Sequence, residues 1–315
     1  MGKKVVSVLL ILLILLAAAP SFGEEKPLRI VCTSFPQYDW TRVILGGREK
    51  EAELTFLLST GVDLHSYQPT VADIASISGC DLFVFTGGES ENWAREALSG
   101  VEAPKAILNL MDALGTAVRP EETVEGMQAE ADEEEGALDE HVWLSLKNAK
   151  VLVSALCDAI CALDAEGEPY YRENAAAYLD QLEELDRRFA EVVDAAAEKT
   201  LLFADRFPFL YLTRDYGLSY YAAFPGCSAE SEATFQTVVF LAAKLNELDL
   251  DHVCVIETSD TALARTVLSA SGRTDGQIVV FQSLQGTTLR EAQAGFTYLS
   301  AMEANLSALE SALSR

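Results

Sequence analysis

The sequence has few basic residues and very few histidines. Its 315 residues include 23 Lys and Arg against 49 Asp and Glu, a formal net charge of −26, and only 3 His. A chain of this charge repels nucleic-acid phosphates and anionic lipid surfaces, so neither is expected as a partner. The charge also suits a protein that attracts cations, although an acidic surface serves solubility as well.

The common zinc motifs are missing too: the sequence contains neither CxxC nor HExxH. Their absence excludes paired-Cys structural zinc sites and the HExxH metalloproteases. Six cysteines occur, at Cys32, Cys80, Cys157, Cys161, Cys227 and Cys254. Cys32, Cys80 and Cys254 lie in or beside apolar runs, where Cys is commonly a small buried hydrophobe. Buried free thiols are therefore expected rather than a disulfide framework.

Long apolar runs are confined to the amino terminus. Two lysines precede an apolar run from Val5 to Ala19, and the small residues Ser21 and Gly23 follow it before the first acids. This arrangement is typical of a secretory signal peptide, and the run is short for a transmembrane helix. We therefore expect a signal peptide at residues 1–23 and an exported mature chain, periplasmic or otherwise extracytoplasmic and soluble.

Short β-rich runs alternate with helical segments twice along the chain. The predicted strands are Arg29–Ser34, Ala52–Ser59, Asp81–Thr86, Ala106–Leu110, Leu201–Asp205, Tyr220–Phe224, Val253–Glu257 and Gln277–Gln282. This βαβ order predicts an α/β fold with parallel sheets. Between the halves, an apolar period of three and four predicts one long helix over Glu168–Lys199. The helix either connects two lobes or packs within one of them.

The predicted organisation is an amino-terminal lobe at 24–165, a linking helix at 166–199 and a carboxy-terminal lobe at 200–315. Residues 119–140 interrupt the alternation of the first lobe. This segment is acidic and poor in large apolar residues, which predicts a mobile loop. Its acids either concentrate cations weakly or, as the simpler interpretation, form a solvated charge run.

Two of the three histidines are candidate metal ligands. His65 follows the strand Ala52–Ser59, and His141 lies where the acidic segment rejoins a regular pattern. Ligands of parallel α/β sheets bind beyond the carboxyl ends of strands, which is where His65 lies. His252 opens a strand at its opposite end and is predicted to be structural. A single loop histidine is more often a surface residue than a ligand, so position alone leaves both interpretations open.

The surrounding motifs are more specific. Gly61–Thr70 (GVDLHSYQPT) resembles the GVDPHxYEPT segment of the cluster A-I family, the zinc/manganese solute-binding proteins of ABC importers. Asp139–Ser145 resembles the DPHVWLS segment of that family, and Thr86–Trp93 resembles its NGGxxExW segment. Gly295–Met302 is similar to its closing helix. The resemblance runs in order from about Leu28 to the carboxy terminus.

This resemblance implies two lobes joined by a rigid helix, with one metal ion held in the cleft by four side chains. His65 and His141 match the first two ligand positions. Counting along the chain puts Arg206 at the third position, usually His or Glu, but a protonated guanidinium cannot coordinate a cation. Asp205, one residue earlier, is therefore the expected third ligand. The alternative is that Asp205 caps the next helix or pairs with Arg206.

Gln282 matches the fourth ligand position of the family. A neutral amide is a poor transition-metal ligand compared with carboxylate or imidazole. Three alternatives follow: a weak contribution from Gln282, a water molecule in its place, or a carboxylate such as Glu257. Glu257 is also a candidate for orienting a ligand through a hydrogen bond.

The function that the resemblance implies is metal capture without catalysis. The expected protein is a monomer that binds a divalent transition metal and delivers it to an ABC permease in the membrane. The imidazoles favour Zn²⁺ as the bound metal, and the oxygen ligands leave Mn²⁺ as the alternative. One alternative is an exported metal-dependent hydrolase, although Gly226–Glu230 (GCSAE) lacks the last Gly of GxSxG. Another is a surface adhesin, as some members of the family have been called.

Overall fold

The computed structural model describes residues 26–128, 136–228 and 232–314. The predicted signal peptide and the centre of the acidic segment, residues 129–135, lie outside these ranges. Within them, no helix combines the length and the apolar character that a membrane-spanning helix needs.

The first lobe is built on a four-stranded parallel sheet with the strand order β2-β1-β3-β4. Its strands are β1 (Leu28–Cys32), β2 (Ala52–Phe56), β3 (Leu82–Phe85) and β4 (Ala106–Asn109). The helices of this part are α1 (Phe35–Leu45), α2 (Val71–Gly79), α3 (Asn92–Gly100) and α4 (Leu110–Leu114). All four residues of β3 are buried, as expected for a parallel strand with both faces covered.

The second lobe repeats this plan with the strand order β6-β5-β7-β8, again all parallel. Its strands are β5 (Thr200–Phe207), β6 (Ser219–Pro225), β7 (His252–Ile256) and β8 (Gln277–Phe281). Its helices are α7 (Leu210–Tyr216), α8 (Phe235–Glu247), α9 (Ala262–Ala270), α10 (Leu289–Gln293) and α11 (Tyr298–Leu313). The predicted α/β class and the two lobes are therefore confirmed.

Two long helices separate the sheets, α5 (Leu146–Leu163) and α6 (Glu168–Ala195). With 28 residues, α6 is about 42 Å long. Its Asn174 side chain donates to the carbonyl of Ile44 in α1, and its Asp186 accepts from the hydroxyl of Tyr216 in α7. The helix thus contacts both lobes, and the alternative in which it packs within one lobe is excluded.

A single apolar core continues from one lobe to the other. The largest cluster of buried apolar residues contains members of both sheets and the inner face of α6. Trp40 of the first lobe packs edge-on against Tyr298 of the second, with ring centroids 5.0 Å apart. The hydroxyl of Tyr298 donates to the carbonyl of Trp143 at 2.6 Å. The lobes therefore meet through close packing, which holds their relative position.

The structure differs from the sequence prediction at the closing helix. The pattern predicts one helix over Leu289–Ser314, whereas the structure has α10 and α11 with a break at Gly295. Gly295 has a φ of +100°, a conformation that favours glycine. Thr297 then begins α11 with a capping box, which starts a new helix in another direction.

The described ends of the acidic segment are hydrogen-bonded. The amide of Glu121 donates to the carbonyl of Ala137, and the amide of Asp139 donates to that of Arg119. Gln128 donates its amide to the carbonyl of Ala223 in β6 of the second lobe. The described residues on either side of 129–135 are therefore hydrogen-bonded to neighbouring parts of the protein. The predicted mobility stays a prediction for residues 129–135, which lie outside the described ranges.

We expect Leu182→Ala to lower the free energy of unfolding by about 2–5 kcal/mol, because Leu182 is fully buried on the inner face of α6. Gln181→Ala, on the exposed face of the same helix, should change stability by less than about 0.5 kcal/mol. Urea unfolding of both variants measures this difference. Equal stability of the two would show that α6 is not part of the shared core.

Candidate metal centre

His65 lies in a short 3-10 turn that follows β2. The turn spans Leu64–Ser66, and Asp63 caps it by accepting the amide of His65 at 3.0 Å. Nδ1 of His65 lies 2.6 Å from the hydroxyl of Ser90, in the loop before α3. The backbone amide of Ser90 donates to Oε1 of Glu140 at 2.8 Å, which holds this loop in place beside His65.

His141 is fully buried at the end of the acidic segment. Its amide donates to Oδ1 of Asp139 at 2.8 Å, and its Nδ1 lies 3.1 Å from the same oxygen. Asp139 therefore fixes both the backbone and the ring. Gly226 packs against the ring so closely that an added Cβ would lie 3.0 Å from Cε1 of His141 and 2.9 Å from the carbonyl oxygen of Phe207.

The two imidazoles face each other through their Nε2 atoms, which are 3.2 Å apart. Nδ1 of His141 faces the Asp139 carboxylate, which only accepts, so this nitrogen carries a proton. The separation of the two Nε2 atoms is that of an N–H···N hydrogen bond, in which one ring donates and the other accepts. A cation between the rings would take the place of the shared proton.

Cys227 supplies a third potential ligand atom. Among the residues that the structure describes, His65, His141 and Cys227 form a group whose donor atoms all lie within 4.8 Å of one another. Cys227 follows β6 after one turn residue, and its amide donates to Oε1 of Glu121 at 3.0 Å. Sequence reasoning gave it no role. Its position just beyond the carboxyl end of a parallel strand is the signal that could have identified it.

Gln285 was also missed by the sequence analysis. Because the Asp63 carboxylate only accepts, the Gln285 amide nitrogen is assigned to the side of Asp63, at 2.9 and 3.3 Å from its oxygens. The amide oxygen then lies 2.5 Å from Nε2 of His141. Glu257 holds the loop that carries Gln285, since it accepts from both amides of Ser283 and Leu284 and from the Ser283 hydroxyl. Glu257 thus positions the loop.

Asp205 lies outside the three-residue group. The pairing of β5 with β6 shifts between Phe203 and Arg206, and Asp205 lies within this irregularity. Its carboxylate accepts the amide of Arg206 at 2.8 Å and the amide of Ile256 at 3.3 Å. Both oxygens therefore satisfy backbone groups near the irregularity. A ligand role for Asp205 stays a prediction.

Gln282 and His252 have local partners. The backbone amide and carbonyl of Gln282 both bond to the side chain of Asn305 in α11. The amide that reaches His141 is that of Gln285, three residues later, so a ligand role for Gln282 also stays a prediction. His252 opens β7 and pairs with Asp251, as expected of a structural residue.

Arg206 connects the two sides of the centre. Its guanidinium bonds to Oδ2 of Asp63 at 2.8 Å and to the carbonyl of Ser228 at 3.3 Å.

Burial, followed by the neighbouring His141, lowers the pKa of His65 to about 3. Burial also opposes protonation of His141, but the carboxylate of Asp139 outweighs it and raises the pKa of His141. His65 is therefore neutral at physiological pH and ready to bind a cation.

The dimensions of the pair fit zinc. Two imidazole nitrogens bound to one tetrahedral zinc at 2.0–2.1 Å are about 3.3 Å apart. The observed Nε2–Nε2 distance of 3.2 Å matches this value. On each ring Nδ1 also lies within hydrogen-bond distance of an oxygen, the arrangement that orients metal-bound histidines and increases their basicity.

The model of one protein family, the periplasmic zinc-uptake complex component A (ZnuA), matches residues 30–312. The chain belongs to this family. Zinc-binding lipoprotein AdcA of Streptococcus pneumoniae (strain ATCC BAA-255 / R6) is 29% identical over 305 residues, which cover 95% of this chain. The chain spans 58% of the length of that relative. High-affinity zinc uptake system protein ZnuA of Bacillus subtilis (strain 168) is 27% identical over 297 residues, covering 94% of this chain and 90% of that protein.

Solved structures of the family have the same fold. The Zn(II)-bound ZnuA-like domain of Streptococcus pneumoniae AdcA superimposes with a TM-score of 0.72 at 28% identity, covering 92% of this chain and all of that domain. The periplasmic zinc binding protein TroA from Treponema pallidum gives a TM-score of 0.74 at 22% identity, covering 92% of this chain and 100% of that chain. At this lower identity the second comparison supports the fold alone.

We expect Asp139→Asn to weaken zinc binding about 10- to 100-fold, because the amide is a weaker acceptor for the Nδ1 proton of His141. Asp251→Asn is the matched control: Asp251 forms the same kind of pair with His252, at 3.2 Å. Competitive zinc titration of both variants measures the difference. If the two variants bind zinc equally well, Asp139 does not act on a metal ligand.

Proposed function

We propose that this protein is an extracytoplasmic solute-binding protein that captures Zn²⁺ and delivers it to an ABC permease. The observation that carries the proposal is the pair of buried imidazoles whose Nε2 atoms face each other, 3.2 Å apart. His65 and His141 are the proposed ligands. Membership of the zinc-uptake family supports the same role.

The surroundings of the pair support capture rather than catalysis. His141 is completely buried, and Gly226 and Gln285 lie against it. A catalytic zinc keeps one coordination position open for water and substrate, whereas a closed zinc site is surrounded by protein groups. The described side chains around Nε2 of His141 favour the enclosed type, and hydrolysis is therefore not proposed.

Zinc is proposed over manganese because both converging donors are imidazole nitrogens. Manganese prefers carboxylate, carbonyl and water oxygens. The carboxylates near the imidazoles lie away from the Nε2 atoms. Asp139 bonds to Nδ1 of His141, Glu140 lies 4.0 Å from Nδ1 of His65, and Asp63 caps the turn of His65. Their negative charges stabilise a bound dication without contacting it.

Delivery to a permease is proposed from the family and supported by the fold. The two lobes share a core, so the loaded protein presents one stable surface for recognition. Relatives over nearly the whole of this chain are named a zinc-binding lipoprotein and a high-affinity zinc uptake system protein. A monomeric, exported form that carries one zinc ion fits this role.

The decisive experiment is to replace each proposed imidazole ligand. His65→Ala and His141→Ala should each weaken zinc binding by at least about 100-fold, because one of the strongest neutral donors is lost. His252→Ala is the matched control and should leave zinc affinity unchanged. Elemental analysis of the purified parent should give one zinc per chain. Unchanged affinity in both ligand variants would refute the proposed site.

A second pair of variants separates the two glutamines. Gln285→Ala should weaken zinc binding about tenfold, because its amide oxygen lies beside Nε2 of His141 and its nitrogen holds Asp63. Gln282→Ala should have no effect on affinity. Isothermal titration of both with zinc measures this, and the reverse order of effects would return Gln282 to the position that the sequence pattern predicts.

A further inference from the structure

Cys227 differs from the other five cysteines in its surroundings. All six are free thiols, and the other five are buried, Cys157 and Cys161 together on α5. Cys227 is partly exposed, and its Sγ lies within 4.8 Å of a ring nitrogen of His65 and of a ring nitrogen of His141. Cys227 is the one cysteine whose sulfur lies beside the two imidazoles.

We propose that Cys227 binds the metal as a thiolate, which makes the centre a nitrogen–nitrogen–sulfur site with the neutral oxygen of Gln285 beside it. The inference rests on the proposed function, in which His65 and His141 bind the cation. On binding, the S–H bond breaks, a sulfur–metal bond forms, and the proton passes to solvent. No oxidant or reductant takes part.

Three contacts hold Cys227 beside the imidazoles. Its own amide donates to Glu121, the preceding Gly226 packs against the ring of His141, and the guanidinium of Arg206 bonds to the carbonyl of the following Ser228. The residue is therefore positioned by both of its neighbours and by its own backbone. Glu121 comes from the acidic segment, which thereby acts on the centre through Cys227.

The distances require only a small adjustment. In a tetrahedral zinc site, nitrogen and sulfur ligands are about 3.6 Å apart, given Zn–N and Zn–S bonds of about 2.0 and 2.3 Å. Sγ of Cys227 lies within 4.8 Å of both nitrogens, so it must approach them by about 1.2 Å at most. A rotation of the side chain covers such a distance without any movement of the strands.

A thiolate also accounts for the position that Arg206 cannot fill. By count, Arg206 occupies the third ligand position of the family motif, and its guanidinium turns instead to Asp63 and Ser228. Cys227 approaches the imidazoles from the neighbouring strand, β6, of the same lobe. Thiolate sulfur favours zinc, cobalt and cadmium over manganese, so the proposal also excludes manganese as the preferred cargo.

The test uses cobalt(II) as a spectroscopic substitute for zinc in the full-length mature chain, kept reduced. The parent should show a thiolate-to-cobalt charge-transfer band in the near ultraviolet. Cys227→Ser should lose this band, keep the visible cobalt bands from the imidazoles, and bind zinc on the order of 100-fold more weakly. Cys161→Ser is the matched control and should behave as the parent does.

Thermal unfolding of the metal-free variants checks that Cys227→Ser is folded. If the parent binds cobalt without a charge-transfer band, and Cys227→Ser binds zinc as the parent does, the thiolate is overturned while the His65–His141 site stands. If neither chain binds cobalt or zinc, both the thiolate and the proposed function are overturned. A band that is lost only in Cys161→Ser would assign the sulfur ligand to another cysteine and also refute the proposal.

Discussion

The shared apolar core is the feature on which the candidate metal centre depends. His65 belongs to the first lobe, Cys227 and Gln285 belong to the second, and His141 lies on the segment between the first sheet and α5. These side chains meet only if the lobes keep one relative position. The continuous core through α6 provides that constraint, and the bond from Tyr298 to Trp143 fixes the main chain two residues after His141.

Most of the fold could be predicted from the sequence, because it depends on local patterns. All eight predicted strands occur, and their ends differ by at most three residues. The closing helix was predicted as one because an apolar period does not report the positive φ at Gly295. The long helix was located from its period alone, whereas its contacts with both lobes depend on long-range packing that a period does not contain.

The candidate site could be predicted only in part. His65 and His141 stand in recognisable motifs, and the structure brings their rings together. Counting puts Arg206 and Gln282 at the third and fourth ligand positions, and Asp205 was chosen because a guanidinium cannot coordinate a cation. Both ligand roles stay predictions, because a count along the chain does not report the β5–β6 irregularity or the loop after β8. Cys227 reaches the imidazoles through tertiary contacts, so neither its spacing nor its residue type identified it.

The two facing imidazoles would connect metal supply to the lifetime of the protein. A cation between them needs both rings in their folded positions, 3.2 Å apart, so it would bind the folded chain and not the unfolded one. A ligand that binds only the folded state stabilises it by about 4 kcal/mol when its concentration is a thousand times the dissociation constant. The empty form is therefore the one that opens more often and is exposed to proteases. The amount of this protein would then follow the amount of zinc available to it.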